Sequence, residues 1–185
     1  MCLIIMNEEI SRAIEHLNNG GIILYPCDTI WGIGCDATNQ KAIDKIYDIK
    51  KRKPTSPLIC LMSDFKMVEK YLSISSKIKS FMKNQKRPTT VVFEKVKNLE
   101  TYKNSIAVRI PNDQFCFGLI SKFGKPITST SVNLSGKEYP EYFKDIDQEI
   151  LNQIDYAVDL RRNEKLINPS KIVKIKNNSI ITLRE

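Results

Sequence analysis

Two interleaved periodicities restrict this chain more than any other feature. Short apolar runs, GIILY (21–25), PLICLM (57–62), SIAVRI (105–110) and PITSTSV (126–132), alternate with segments whose apolar residues recur at helical spacing. Runs of four to eight apolar residues fit buried strands, and the amphipathic segments between them supply the cover. The pattern predicts an α/β fold, a twisted mixed β-sheet flanked by helices in one layered domain.

Residues 7–21 set Ile10, Ala13, Ile14 and Leu17 on one helical face, with Asn7 as N-cap and glycines as the stop. Residues 38–51 predict a second helix with Thr38 as a cap. Asp64 opens a third over 64–72, residues 75–83 give a fourth, and Asn112 caps a fifth that Gly124 closes. TTVVFEKV (89–96) and YAVDL (156–160) read as strands, and SKIVKI (170–175) with SIITLRE (179–185) as a late hairpin across KNN. No repeat, low-complexity segment or Gly/Ser linker divides the sequence, so a single domain over 1–185 is expected.

The chain has 185 residues, enough for a substantial core. No stretch is apolar for long enough to cross a bilayer and MCLIIM lacks a basic leader, so a soluble, cytoplasmic protein without membrane partners is expected. Five cysteines (Cys2, Cys27, Cys35, Cys60, Cys116) show no C-x-x-C spacing and read as free thiols. His16 is the one histidine, so a zinc site or a Ser-His hydrolase has almost nothing to be built from, and no metal site is expected. The net charge of +8 suits an anionic partner, a polyphosphate nucleotide or a nucleic acid, although lysines scattered along helices also make an ordinary solvated surface.

Four segments carry the polar chemistry. In YPCDTIWGIG (25–34), Pro26 ends a strand, while Gly32 and Gly34 permit tight turns and close approach of a ligand; a well-formed loop with a packed tryptophan is the plainer reading. In IKKRKPTSPLICL (49–61), four cations sit at a helix C-terminus, where the helix dipole alone accounts for them, yet the return to a strand fixes them beside the sheet. In SIAVRIPND, Arg109 lies within an apolar strand and needs a carboxylate, a phosphate or water. In PITSTSVNLSG, Ser129, Ser131 and Asn133 line one surface if the extended spacing holds.

YPCDTIWGIGCDA, KKRKPTSPL, AVRIP and STSVNLSG, in that order and spacing, resemble the signature segments of the YrdC-like family, the threonylcarbamoyl-AMP synthases. The resemblance implies the single-domain type and an ATP-dependent reaction in which L-threonine, bicarbonate or CO2 and ATP, with Mg2+ on the nucleotide, give threonylcarbamoyl-AMP and pyrophosphate. Threonylcarbamoyl transferase proteins would pass the product to tRNA, and direct contact with tRNA or double-stranded RNA stays open. It further implies that Lys50 and Arg52 address the triphosphate, and that Ser56, Ser105, Asn133 and Arg184 contact ATP. Thr29, Arg109, Ser131 and Ser170 would bind threonine, with Arg109 meeting its carboxylate. Lys50, Arg52, Ser131 and Asn133 would be the catalytic set, and Thr90 matches a family threonine without an assigned role. Trp31 stands where tyrosine is common, and would keep an aromatic wall; Leu61 and Lys171 replace histidine and threonine. Two rival readings are a carbamoyl-adenylate-forming relative and a non-catalytic RNA-binding paralogue.

Overall fold

The computed structural model describes residues 2–54, 58–102, 105–176 and 179–185. Strands β1 (Ile23–Tyr25), β2 (Gly32–Gly34), β3 (Ile59–Leu61), β4 (Thr89–Phe93), β5 (Ile106–Arg109), β6 (Ile127–Ser131), β7 (Tyr156–Ala157), β8 (Lys171–Lys176) and β9 (Ser179–Arg184) form one twisted mixed sheet. Their order is β7-β1-β2-β6-β3-β5-β4-β8-β9. Parallel pairs (β1 with β7, β3 with β5, β4 with β8) sit among antiparallel ones. Neighbours in this sheet are mostly distant in sequence, so the sheet itself gathers the four polar segments.

Helices α1 (Cys2–Asn18), α2 (Gln40–Ile49), α3 (Phe65–Tyr71), α4 (Ser76–Lys83), α5 (Gln114–Phe123) and the short α6 (Gln148–Leu151) flank the sheet. Helix α1 starts five residues before the expected boundary, because Leu3, Ile4 and Ile5 extend it with exposed apolar side chains. Asn7 therefore lies inside a helix, where its side-chain oxygen accepts a hydrogen bond from Lys122 Nζ at 2.9 Å. Two other caps shift by one residue. Asn39 caps α2 through the Ala42 N–H, and Asp113 caps α5 through the Cys116 N–H. Thr38 instead bonds Asp36 Oδ1 at 2.6 Å. Asp64 opens α3 and Gly124 closes α5 in the left-handed conformation, as the sequence predicts.

Two strand expectations change. GIG (32–34), read as loop, is β2, paired with both β1 and β6. The reason is close packing: a Cβ at Gly34 would stand 2.2 Å from the Thr128 carbonyl oxygen, a spacing only glycine meets. YAVDL contributes only Tyr156–Ala157 to a strand. The late hairpin forms as expected, with one irregularity. Ile172 pairs with Arg184 and Val173 with Thr182, so Leu183 is an extra residue on β9.

The core lies on both faces of the sheet. Ile10, Ala13 and Leu17 of α1 are buried, and Gly118 of α5 meets Ile10 so closely that a Cβ there would come within 2.8 Å of its Cδ1. Trp31 is fully buried and meets Phe143 edge-on, 5.4 Å between ring centroids. It is a core residue, not a cavity wall. His16 stacks on Tyr156 at 4.9 Å.

Candidate active site

A cavity of about 510 Å³ opens over the central strands. Its wall includes Thr29, Arg52, Ser105, Arg109, Ser131, Ser170 and Arg184. Seven of the residues expected from sequence thus converge from six chain segments. Ser56 lies outside the described residues. Lys50 and Asn133 are not wall residues, but they are tied directly to one: Ser131 Oγ donates to Asn133 Oδ1 at 2.5 Å. The Asn133 Nδ2 group donates to Lys137 O at 2.5 Å, on the side of a smaller cavity of about 270 Å³.

Lys50 is only 3% exposed. Its ammonium donates to Ser131 O at 2.5 Å, Asn133 O at 2.7 Å and Asn133 Oδ1 at 3.2 Å. The expectation that Lys50 addresses a triphosphate directly meets a geometry in which all three donors are engaged with protein. Its position at the C-cap of α2 explains the reach: the helix ends there, and the Ser135 N–H bonds the Lys50 carbonyl at 3.0 Å. Burial, helped by the Arg52 guanidinium, pushes the Lys50 pKa down to about 8. Arg52, two residues on, reaches the cavity wall itself.

The buried cation in β5 has an internal answer. Arg109 pairs through Nη1 with Asp28 Oδ1, and its Nη2 donates to Thr29 Oγ1 and Cys27 Sγ, each at 3.3 Å. The sequence left a carboxylate, a phosphate or water open as the partner of Arg109; Asp28 supplies the carboxylate from within the chain, so no ligand is needed to neutralise the cation. Asp28 is further held by the Asn112 N–H at 3.0 Å. Burial raises the Asp28 pKa, but Arg109 and the hydrogen bonds outweigh it and leave a net lowering. The Arg109 pKa is raised, because the neighbouring Cys27 and Asp28 outweigh its burial. Arg109 Nε is buried with no hydrogen-bond partner among the described residues.

At the other end, Ser170 is fixed twice. Its hydroxyl lies 2.8 Å from Thr90 Oγ1, and its carbonyl accepts from Arg184 Nη2 at 2.7 Å. Thr90 thus holds Ser170 from the neighbouring strand. The extra residue at Leu183 decides where Arg184 points. Ile180 and Ile175 share the face toward α4, and strict alternation would put Arg184 on that face too. The bulge turns it to the cavity face beside Ile172 and Lys174.

Lys174 escaped the sequence reading, although it stands two residues from Ile172 on one strand and so shares its face. It pairs with Glu94 at 2.9 Å. Asp28 was visible only as a loop residue. It also lines a separate cavity of about 590 Å³ with Lys83, Arg87 and Asn112, which holds none of the residues that converge on the first. Among the described residues, no three His, Cys, Asp or Glu side chains could together hold a metal ion. No helix among them is long and apolar enough to cross a membrane. The wall offers fixed cations and hydroxyls, a set suited to a phosphate ester beside a small carboxylate.

Comparison with known proteins agrees with this chemistry. A family model for Sua5, YciO and YrdC, described as "Telomere recombination", matches residues 15–185. A protein of Methanocaldococcus jannaschii, provisionally named a threonylcarbamoyl-AMP synthase, is 35% identical over 185 residues, covering 96% of this chain and 87% of its own. The threonylcarbamoyl-AMP synthase of Pseudoalteromonas translucida is 32% identical over 158 residues, 81% of this chain and 84% of that one. The fold resembles E. coli YciO (TM-score 0.80, 22% identity, 95% of this chain and 88% of that one). It also resembles P. abyssi Sua5 solved with L-threonine (TM-score 0.82, 22% identity, 95% of this chain), of which this chain spans about half, 53%. With the signature segments, the fold and the family model all in agreement along nearly its whole length, the chain belongs to the Sua5/YciO/YrdC family.

Proposed function

We propose that this protein is an L-threonylcarbamoyladenylate synthase, one YrdC-like domain over 1–185 that makes threonylcarbamoyl-AMP and pyrophosphate from L-threonine, bicarbonate or CO2 and ATP. The product would go to threonylcarbamoyl transferase proteins for tRNA modification. One observation carries the reading: a single cavity collects Thr29, Arg52, Ser105, Arg109, Ser131, Ser170 and Arg184. The names of the curated relatives point the same way.

Threonine's amine joins bicarbonate to give a carbamate and water. A carbamate oxygen then attacks the α-phosphorus of ATP in line and pyrophosphate leaves. Arg109, paired with Asp28 through Nη1 and with Thr29 and Cys27 through Nη2, would turn an Nη2 N–H from Cys27 Sγ to the threonine carboxylate, beside the Thr29 hydroxyl. Ser131 and Ser170 bind the rest of the amino acid, while Arg52, Ser105 and Arg184 hold the nucleotide, which brings its own Mg2+. Ser56 belongs to the same proposed ATP set by sequence. Lys50 and Asn133 act through Ser131, by fixing the 131–133 segment. No step needs a histidine. Orientation of two small reactants and preorganised positive charge supply the acceleration.

Purified protein given ATP, L-threonine and bicarbonate should release pyrophosphate and yield an adenylate of the threonylcarbamoyl mass, with serine a much poorer substrate. Adenylate formation from carbamoyl phosphate without threonine, or RNA binding with no ATP consumption, would overturn the proposal.

A further inference from the structure

The reaction above leaves one reactive cluster unused. Cys27 and Cys116 are buried 3.4 Å apart, sulfur to sulfur, with Cys116 placed to donate its S–H to Cys27. Arg109 Nη2 lies 3.3 Å from Cys27 Sγ and Asp28 Oδ1 lies 3.0 Å from it. Cys27 also stands on the wall of the active cavity, whereas Cys116 does not. We propose that Cys27 and Cys116 form an oxidant-sensitive dithiol whose closure to a disulfide distorts the wall of the active cavity.

The surroundings set the roles. The Cys116 hydrogen bond and the Arg109 guanidinium lower the Cys27 pKa, outweighing its burial and the Asp28 carboxylate that accepts its S–H, while burial raises that of Cys116. Cys35 and Cys60 are also buried thiols, and among the described residues neither sulfur is hydrogen-bonded to a cation. Burial pushes Cys35 up to about 12 and raises Cys60 as well. They serve as inert internal references.

With hydrogen peroxide as oxidant the step balances. The Cys27 thiolate attacks one peroxide oxygen and breaks the O–O bond, leaving a sulfenic acid and hydroxide, which takes up a proton as water. The Cys116 sulfur, losing its proton, then attacks the Cys27 sulfur and expels a second water. Two thiols lose two electrons and peroxide gains them. Bond formation needs the sulfurs to approach to about 2.05 Å. That displacement pulls the 26–31 loop toward α5, and Thr29 with Asp28 moves along with it. Misplacement of binding groups by about 1 Å costs on the order of 100-fold in catalysis.

The full-length protein, reduced and then treated with hydrogen peroxide, is blocked with an alkylating reagent and mapped by mass. One Cys27–Cys116 cross-link is expected, two hydrogens lighter than the dithiol, with Cys35 and Cys60 still free. L-threonine affinity, followed by thermal shift, should fall at least about tenfold and return with dithiothreitol. Cys116→Ser, with Cys116→Ala as the apolar alternative, should give no cross-link and leave Cys27 as a sulfenic acid that dimedone traps. Oxidation of Cys27 no faster than of Cys35 and Cys60 would overturn the dithiol, whatever reaction the protein catalyses. A cross-link that leaves L-threonine binding unchanged would overturn the link to the cavity, which rests on the proposed function.

Discussion

Lys50 Nζ lies 2.7 Å from the backbone oxygen of Asn133, so the cation that ends α2 holds the turn leaving β6 across 83 residues of chain. This contact makes the basic cluster a structural strut at Lys50 and a wall residue at Arg52. A pH effect follows from it. With its pKa lowered to about 8, Lys50 sheds its proton in the folded protein well before its ordinary value of 10.5. Below about pH 8 both states carry the proton, and the fold bears the full burial cost of the charge. Between about 8 and 10.5 only the unfolded chain still binds it, so this group adds stability as pH rises. Activity goes the opposite way, because a neutral amine has two donors for three acceptors. The pyrophosphate-release profile should show an alkaline limb near pH 8 that Lys50→Met abolishes together with most activity.

Arg52→Ala tests the wall directly. Its melting curve should match wild type to within about 1 kcal/mol, as surface replacements usually do. Pyrophosphate release should fall by about 100-fold or more, the scale for one donor to developing charge. Wild-type turnover would remove Arg52 from the nucleotide site.

Asp28→Asn strands the Arg109 guanidinium in the core. Breaking a buried ion pair from one side costs about 3–5 kcal/mol, and urea unfolding should show a loss of that size. The pH dependence has a definite sign. The folded-state pKa of Asp28 is lowered, so its stabilisation is complete above the ordinary carboxylate value of about 3.9 and drains away as pH falls toward the folded value. Acid unfolding of the variant should be flatter in that window.

Gly34→Ala forces a Cβ against a backbone oxygen 2.2 Å away, which no rotamer can relieve. A loss of about 3 kcal/mol, at the upper end for overpacking, is expected in chemical denaturation. Gly32→Ala, with its nearest neighbour at 3.4 Å, should cost far less.

Deletion of Leu183 removes the bulge but leaves Arg184 directly after Thr182 and opposite Ile172, so the guanidinium should stay on the cavity face. The KM values for ATP and L-threonine should both stay near wild type, whereas Arg184→Ala should raise the KM for ATP with little change for L-threonine. An unchanged KM for ATP in Arg184→Ala would remove this side chain from the nucleotide site.

Most of the fold was legible because helical and strand periodicities are local properties. Caps were misplaced by one residue because Thr38 and Asn39, like Asn112 and Asp113, are adjacent residues of equal capping chemistry. Strand β2 was not legible. Gly32 and Gly34 resemble loop residues until the tight approach of β6 is known. Thr29, Arg52, Arg109 and Ser131 lie in the signature segments, whereas Ser105, Ser170 and Arg184 came only from the family resemblance outside them, and the division of labour came from neither. Asp28 as the partner of Arg109, Thr90 as the brace of Ser170 and the burial of Lys50 are all contacts across 80 residues or more, where sequence spacing carries no information.

The walls of the cavity are drawn from strands at the middle and at one margin of the sheet, and from loops separated by more than half the chain. Recognition is therefore a property of the finished architecture and cannot be moved piecemeal. A fragment ending before Ser170 would lack both Ser170 and Arg184, and one starting after β2 would lack Thr29. Neither could be grafted elsewhere as a smaller binding module, and a ligand that fits here should report, by raising the unfolding temperature, that every strand has found its neighbour.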